Sequence, residues 1–366
     1  MTAPRVVVVH ERFTEWAGSE RVVAELAAQW PQARVLAPVV VPGVVAPPLQ
    51  GRVEPGALTR FTRGGSYAHL LPVLPLAVRR LPVGEPDLVI ASHHAFASQV
   101  VHATSAPVVA YVHSPARWVW DPSMRAGEAG GPVGAAALTA FAAAFRGPDR
   151  RAAARLHGIV ANSSEVAHRV QRWWGRDAVV VPPPVDTDYY SPDADVPRED
   201  FFLLAGRLVP YKQPQLAIRA AQQAGVRLVV AGDGRARAEC ERLAGPGVTF
   251  LGRVDDALQR DLYRRCAALL MPGVEDFGIV PVEAQACGAP VVATAAGGAL
   301  DSVRDGVTGQ LVPLDDAAGQ QARWAEVLSA FDPGRYAPAV VRSHAEGFSA
   351  AAFRARMQAR VTEMLA

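Results

Sequence analysis

The sequence predicts two α/β domains, each a parallel sheet covered by helices on both faces. Three observations predict it. The chain has 366 residues, more than one hydrophobic core usually serves. Short, continuously apolar, β-branched runs alternate with helical stretches in both halves. Between the halves, "VVVPPPVDTDYYSPDADVPRED" breaks the alternation with five prolines and several aspartates, a linker composition.

Taken in order, "RVVVVH" (5–10), "ARVLAPV" (33–39), "DLVIASHH" (87–94), "PVVAYVHS" (107–114) and "LHGIVANS" (156–163) read as buried strands. Helical patterns at 18–30 and 164–175 separate some of them. After the linker the strands resume at 201–206, 227–232, 248–252, 267–273, 290–294 and 309–313. The reading is an N-terminal domain over 1–190 and a second domain over 191–348. A last helix within 349–366 is expected to pack back on the first domain. No sequence repeat underlies the halves.

The composition, 50% apolar and 20% charged, is that of a globular protein. A net charge of +2 gives no general attraction for nucleic acid, so any anion site must be local. Cys240, Cys266 and Cys287 lack CxxC spacing, which argues against a disulfide framework or a zinc site and fits a reducing cytoplasm. The apolar run Val6 to Val9 is too short for a signal peptide, and no run approaches the roughly 20 residues of a spanning helix. The expectation is a cytoplasmic protein, at most peripheral on the inner membrane face. The stretch 58–82 mixes Arg60, Arg63, Arg79 and Arg80 with Leu, Phe and Tyr. It reads either as an anionic-interface binder or as a core helix with solvated arginines. The apolar segment 131–147 is a second candidate for meeting a lipid-linked acceptor.

In open α/β sheets ligands bind beyond the carboxyl ends of the strands. There, "GRLVPYKQ" offers Arg207 and Lys212, a planar fork and a point charge suited to a diphosphate, or simply two surface cations. "GVEDFGIVPVEAQACGAP" (273–290) places Glu275 in a loop and starts a helix at Gly278, Ile279 and Val280. Pro281 is tolerated in a first turn, and the free N–H groups there form an anion site. Glu283 falls about one turn on, where a carboxylate suits a hydroxyl rather than a phosphate. Gly288 suits a helix terminator. Taken alone, both acids are also ordinary helix-start carboxylates. "GDG" (232–234) lacks the third glycine of a dinucleotide fingerprint, having Arg237 there. "DTD" (186–188) and "DAD" (193–195) imitate a metal motif inside the linker, and "HH" (93–94) reads as loop or cleft lining.

A cation pair, a helix N-terminus and two hydroxyl acceptors at strand ends of one domain describe a nucleotide-sugar site. The stretch from Glu275 to Glu283 resembles the Glu-x7-Glu signature of the retaining glycosyltransferases of family 4. "GRLVPYKQ", "AGDGRAR", "LGRV", "GVEDFGIVPVEAQACGAPVVAT" and "GGALDSVRDGVTGQLV" stand in that family's order, and the resemblance covers nearly the whole chain. It implies a GT-B fold, two Rossmann-like β/α/β domains with a cleft between them. It also implies no obligatory metal or other cofactor. By the same resemblance Arg207 and Lys212 hold the donor diphosphate, and Glu275 the sugar hydroxyls. Gly278, Ile279 and Val280 offer backbone N–H groups, Glu283 binds the ribose, and Arg253 and Val254 flank the nucleobase. "VVVVHERFTEWAGSERVVAEL" is similar to the family's opening and brings Gly18 close to the donor phosphate, with Ser19 where many relatives have a second glycine. "AYVHSPARWVWDP" resembles a segment of bacterial O-antigen-type mannosyltransferases. It places His113 near the reacting sugar and Arg117, Trp120 and Asp121 on the acceptor side. The implied donor is GDP-mannose, with a UDP-sugar as alternative. The implied acceptor is a glycan, a polyprenyl-linked oligosaccharide or a natural product. A nucleotide-sugar 2-epimerase of the same fold, or a non-catalytic nucleotide-sugar binder, are the competing readings.

Overall fold

The computed structural model describes residues 4–62, 67–125 and 131–366. Arg63 therefore lies outside the described residues. The chain divides into two compact units, Met1–Pro184 with Phe353–Ala366, and Val185–Ala352.

The first unit holds a seven-stranded parallel sheet. Its strands are β1 (Val6–His10), β2 (Arg34–Ala37), β3 (Val53–Pro55), β4 (Leu88–His93), β5 (Val108–Val112), β6 (Gly158–Ala161) and β7 (Val179–Val180). Their spatial order is β3-β2-β1-β4-β5-β6-β7. The five strands read from the sequence are present, each one to four residues shorter. β3 and β7 were not legible, because three and two residues at sheet edges carry no periodic signal.

The second unit holds six parallel strands, β8 (Phe202–Ala205), β9 (Leu228–Ala231), β10 (Val248–Gly252), β11 (Ala268–Met271), β12 (Val291–Thr294) and β13 (Gly309–Val312). Their order is β10-β9-β8-β11-β12-β13. Both sheets are doubly wound Rossmann-like layers. The chain reverses its direction of sheet growth between β1 and β4 in one, and between β8 and β11 in the other. Those are the switch points at which loops splay apart and leave a crevice.

Each sheet is buried on both faces. In the first unit, Val7, Val9, Val89 and Ala91 face one core while Val6, Val8, Ile90 and Val109 face the other. The alternation follows from the two-residue period of a strand. The helix Ala350–Leu365 presents Phe353, Met357 and Val361 at four-residue intervals into that second core. Its end is fastened where the Met364 carbonyl lies 2.6 Å from Nε2 of His157.

The stretch 58–82 folds as short turns over Ala57–Phe61 and Ala68–Leu70 and a helix over Leu74–Val78. Leu70, Leu74 and Val78 enter the core, while Arg60, Phe61, Leu76 and Arg80 are exposed. The segment 131–147 belongs to the helix Gly131–Arg155, whose Val133 is exposed and whose Ala142 and Phe145 are buried. Among the described residues no helix is long and apolar enough to cross a membrane.

Candidate functional site

At the switch point of the second unit, β8 ends in Gly206 and the turn Pro210–Lys212 follows. A proline at the head of that turn suits its fixed φ. Lys212 is the chain's single lysine. Its side chain returns over the strand end, so that a Cβ on Gly206 would stand 3.6 Å from Nζ. Nζ sits 2.9 Å from Oε1 of Glu275, in the loop after β11. Both side chains are about one-fifth exposed, at 18% and 22%. They line one recess with Met271, Gly273, Val280 and Pro281.

Glycines let the loops converge here. A Cβ on Gly273 would meet Lys212 Cα at 2.4 Å, and one on Gly298 would meet Phe277 Cα at 2.2 Å. The Gly298 N–H donates to the Glu275 carbonyl at 2.9 Å. Gly232, in "GDG", would place a Cβ 1.9 Å from the Gly206 carbonyl oxygen. That glycine thus serves loop-to-loop packing. Gly278, with φ +84°, caps the helix Ile279–Ala286. Among the described residues, the N–H groups of Gly278, Ile279 and Val280 have no acceptor. Three orphan donors and a lysine therefore face the same carboxyl end of the sheet, an arrangement suited to an anion.

The other expected residues are placed less centrally. Glu283 is buried, at 8% exposure, and its Oε2 accepts from the Tyr263 hydroxyl at 3.1 Å. Burial, with Glu283 close by, drives the Tyr263 hydroxyl well above its ordinary value, so it stays a donor. Arg207 and Arg253 are exposed on their loops and Val254 is half-buried. Gly288, with φ +80°, follows the last helical turn as expected of a terminator. The acidic motifs of the linker make turns: Asp186 accepts from Tyr189 N–H, and Asp193 from Asp195 N–H while also pairing with Arg264. Among the described residues no cluster of His, Cys, Asp or Glu is suited to a metal ion.

At the switch point of the first unit, His113 follows β5 and is 8% exposed. Burial, reinforced by His10, holds its imidazole down at about 3, so it is neutral. Gly18 opens the helix Gly18–Gln29. Arg117 and Asp121 are half-buried at the two ends of the short helix Arg117–Trp120. Trp120 is pinned: its Nε1–H donates to Asp149 Oδ2 at 2.8 Å, its ring stacks on Trp173, and Arg150 lies over it.

Sequence reasoning missed a cluster of buried polar groups beside His113. His93 is not a loop residue. It closes β4 inside the core, and its Nδ1 accepts from the Ser98 N–H. His94 stacks on His113, with centroids 4.3 Å apart and planes 11° off parallel. Glu11 is buried and its Oε1 gathers the N–H groups of His94, Ala95, Phe96 and Ala97. Burial opposes its ionisation, but His93, Arg12 and those N–H groups outweigh burial and lower its value. A signal was present: "HE" ends the first strand and "HH" the fourth, and adjacent parallel strands bring such ends together.

Residues 16–189 match the model of Glycosyltransferase Family 4, and residues 192–330 match that of Glycosyl transferases group 1. The chain is similar to the D-inositol 3-phosphate glycosyltransferases of Mycobacterium tuberculosis and Mycobacterium bovis. It is 34% identical to each over 221 residues, 52% of this chain and 45% of theirs. The chain thus spans about half the length of the curated relatives it matches. Among solved structures it resembles Anabaena HepE in complex with UDP, with a TM-score of 0.71, 19% identity and coverage of 98% and 100% of the two chains. It also resembles sucrose-phosphate synthase of Thermosynechococcus elongatus, with a TM-score of 0.74, 18% identity and 99% coverage of each. At these identities the structural likeness speaks to the fold, and with the two family matches it makes the chain a GT-B protein related to the glycosyltransferases of family 4 and group 1.

Proposed function

We propose that the chain is a retaining glycosyltransferase that moves a hexose from a nucleoside-diphosphate sugar to a hydroxyl acceptor. The observation that carries this reading is the recess at the switch point between β8 and β11. There Lys212, Glu275 and an uncapped helix N-terminus converge on one small volume. A pyrophosphate needs positive potential and N–H donors. A hexose needs a carboxylate that accepts from its hydroxyls. One recess offers both.

In this reading Arg207 and Lys212 bind the diphosphate and stabilise the charge that develops as the sugar departs. Glu275 exchanges its pairing with Lys212 for sugar hydroxyls. Gly278, Ile279 and Val280 donate backbone N–H groups, Glu283 takes the ribose, and Arg253 with Val254 flanks the base. Gly18 lets the backbone approach the donor phosphate, and His113 accepts from a hydroxyl of the transferred sugar. Arg117, Trp120 and Asp121 shape the acceptor side. No carboxylate is assigned as a nucleophile. The incoming hydroxyl attacks the face that the phosphate leaves, and its proton passes to the leaving phosphate oxygen. The segment "HSPARWVWDP" favours GDP-mannose as donor. A UDP-hexose is the alternative donor; HepE, which shares the fold, is in complex with UDP. The acceptor is a glycan, a polyprenyl-linked sugar or a natural product, met at a membrane surface if it is lipid-linked.

The single lysine makes the test direct. Acylation of Lys212, followed by peptide mass mapping, is expected to be blocked by GDP-mannose or by UDP-glucose, and the one that protects names the base. Lys212→Ala is expected to lower kcat/KM with that donor about 10²-fold, roughly 2.7 kcal/mol of barrier. Equal labelling with and without every nucleotide sugar in a panel would remove the diphosphate assignment.

A further inference from the structure

Four polar side chains run in line at the switch point of the first unit. The register pairs His10 with Ser92 and Ser92 with Tyr111, and His113 lies two residues beyond Tyr111. Partners in a parallel register share a face, and so do residues two apart, so all three polar side chains emerge on one side of the sheet. Glu20 meets them from the first turn of the helix Gly18–Gln29. The contacts are Glu20 Oε1 to His10 Nε2 at 3.3 Å, His10 Nδ1 to Ser92 Oγ at 3.0 Å, and Ser92 Oγ to His113 Nε2 at 2.9 Å. Glu20, His10 and Ser92 are 4%, 1% and 0% exposed, so water does not compete with the chain.

We propose that Glu20, acting through His10 and Ser92, fixes the proton of His113 on Nε2 and leaves its Nδ1 bare as a hydroxyl acceptor. The direction follows from what each group can give. A carboxylate only accepts. Oε2 of Glu20 takes the Ala17 N–H and the Ser19 hydroxyl, which leaves Oε1 for His10. Burial opposes ionisation of Glu20, yet hydrogen bonds from His10 and Ser19 hold its carboxyl down at about 2. His10 therefore donates from Nε2, and the relay is that of the neutral ring, whose Nδ1 carries a lone pair; an imidazolium would donate from Nδ1 as well and reverse the order. Ser92 has one proton, and it goes to that lone pair. Its oxygen can then only accept from His113, whose Nε2 must carry the hydrogen.

The remaining nitrogen is free for a ligand. Nδ1 of His113 has no partner among the described residues, and it is not enclosed as Nε2 of His93 and of His94 are. The stacked ring of His94 keeps the His113 imidazole from turning. His10, Ser92 and Glu20 are thus positioning residues that act through His113. The use of the bare nitrogen on a sugar hydroxyl rests on the proposed transferase reading. The orientation of the relay does not.

The test separates the two. In the full chain labelled with ¹⁵N-histidine, long-range ¹H–¹⁵N correlation at pH 8 reads the tautomer of each ring, and His113→Gln assigns the resonance. His113 is expected as the Nε2–H form. Ser92→Ala is expected to give a mixture of tautomers and Ser92→Thr to restore the single form. If Ser92→Ala fails to fold, Glu20→Gln serves, because an amide can donate or accept and so loses the ordered form. A proton on Nδ1 in the unmodified chain, or a tautomer indifferent to both variants, overturns the relay. With an active donor, Ser92→Ala is expected to lower kcat about tenfold while donor KM stays within about twofold, and Ser92→Thr to recover most of it. An altered tautomer with unchanged kcat overturns the hydroxyl-acceptor role alone.

Discussion

Lys212 has the Glu275 carboxylate as its partner, and any anionic ligand must compete with that carboxylate. In the proposed reading Glu275 neutralises the lysine until a diphosphate displaces it, and is then available to sugar hydroxyls. Glu275→Gln therefore separates two effects of opposite sign. The variant is expected to bind a free nucleoside diphosphate more tightly, by about 0.5–1 kcal/mol for a pair this exposed. It is also expected to transfer sugar far more slowly. Calorimetry with the diphosphate and turnover with the sugar donor check the two halves, and parallel losses in both would contradict the exchange of partners. Asp149 gives a second residue-scale prediction. It is fully buried, its Oδ2 receives Trp120 and Trp174, its Oδ1 has no partner, and burial pushes its carboxyl up to about 7. A carboxyl whose folded value lies above its unfolded one binds protons that the unfolded chain has released. Stability then falls as pH rises from about 4 through about 7. Asp149→Asn keeps an acceptor for the indoles and removes the buried charge. Urea unfolding is expected to show near parity with the unmodified chain at about pH 3, a difference that grows from about pH 4 to about pH 7, and a more stable variant at pH 8. The lysine, the loop acid Glu275 and the helix acid Glu283 were legible because they stand in recognisable strings. Asp149, Glu11 and the relay were not, because their partners lie 10 to 86 residues away and only the register joins them.

At the scale of elements, eleven of the thirteen strands were legible, since fully buried parallel strands are continuous apolar runs. The loops between them were legible only as strings of residue types. "GGALDSVRDG" illustrates the gap: the sequence shows two adjacent glycines, and the structure shows why they are there. Gly297, with φ +60°, and Gly298 press against the backbone of Glu275 and Phe277, and Gly298 donates to the Glu275 carbonyl. The loop before Ala299 is a buttress for the loop that carries the acid. Gly298→Ala puts a methyl group 2.2 Å from Phe277 Cα, where backbone must move. The expected cost is about 1–3 kcal/mol of stability, with donor affinity reduced through displacement of Glu275. The measurements are thermal unfolding and donor titration on the same variant. A folded variant with unchanged affinity would show that the loop adjusts without carrying Glu275 with it.

At the scale of the whole molecule, each unit has its own pair of cores, and neither of the first unit's cores shares a buried residue with those of the second. Two units with separate cores predict two unfolding transitions rather than one, so a single midpoint does not describe the chain. The helix Ala350–Leu365 tells which transition is which. From Phe353 on it belongs to the first unit, where Phe353 is 1% exposed and meets Tyr111 edge-on at 5.6 Å. Met357 and Val361 extend the same buried stripe. Phe353→Ala removes a large ring from a closed core and is expected to cost about 3–5 kcal/mol, all of it in the transition of the first unit. The recess with Lys212 and Glu275 lies in the second unit. A nucleotide sugar at 100 times its dissociation constant is expected to stabilise that unit by about 2.7 kcal/mol. Calorimetric scans of Phe353→Ala with and without donor should therefore show the lower transition fixed by the mutation and the upper one moved by the ligand. A donor shift confined to the transition that Phe353→Ala weakens would place the diphosphate in the other unit, and the assignment of Lys212 would fall with it.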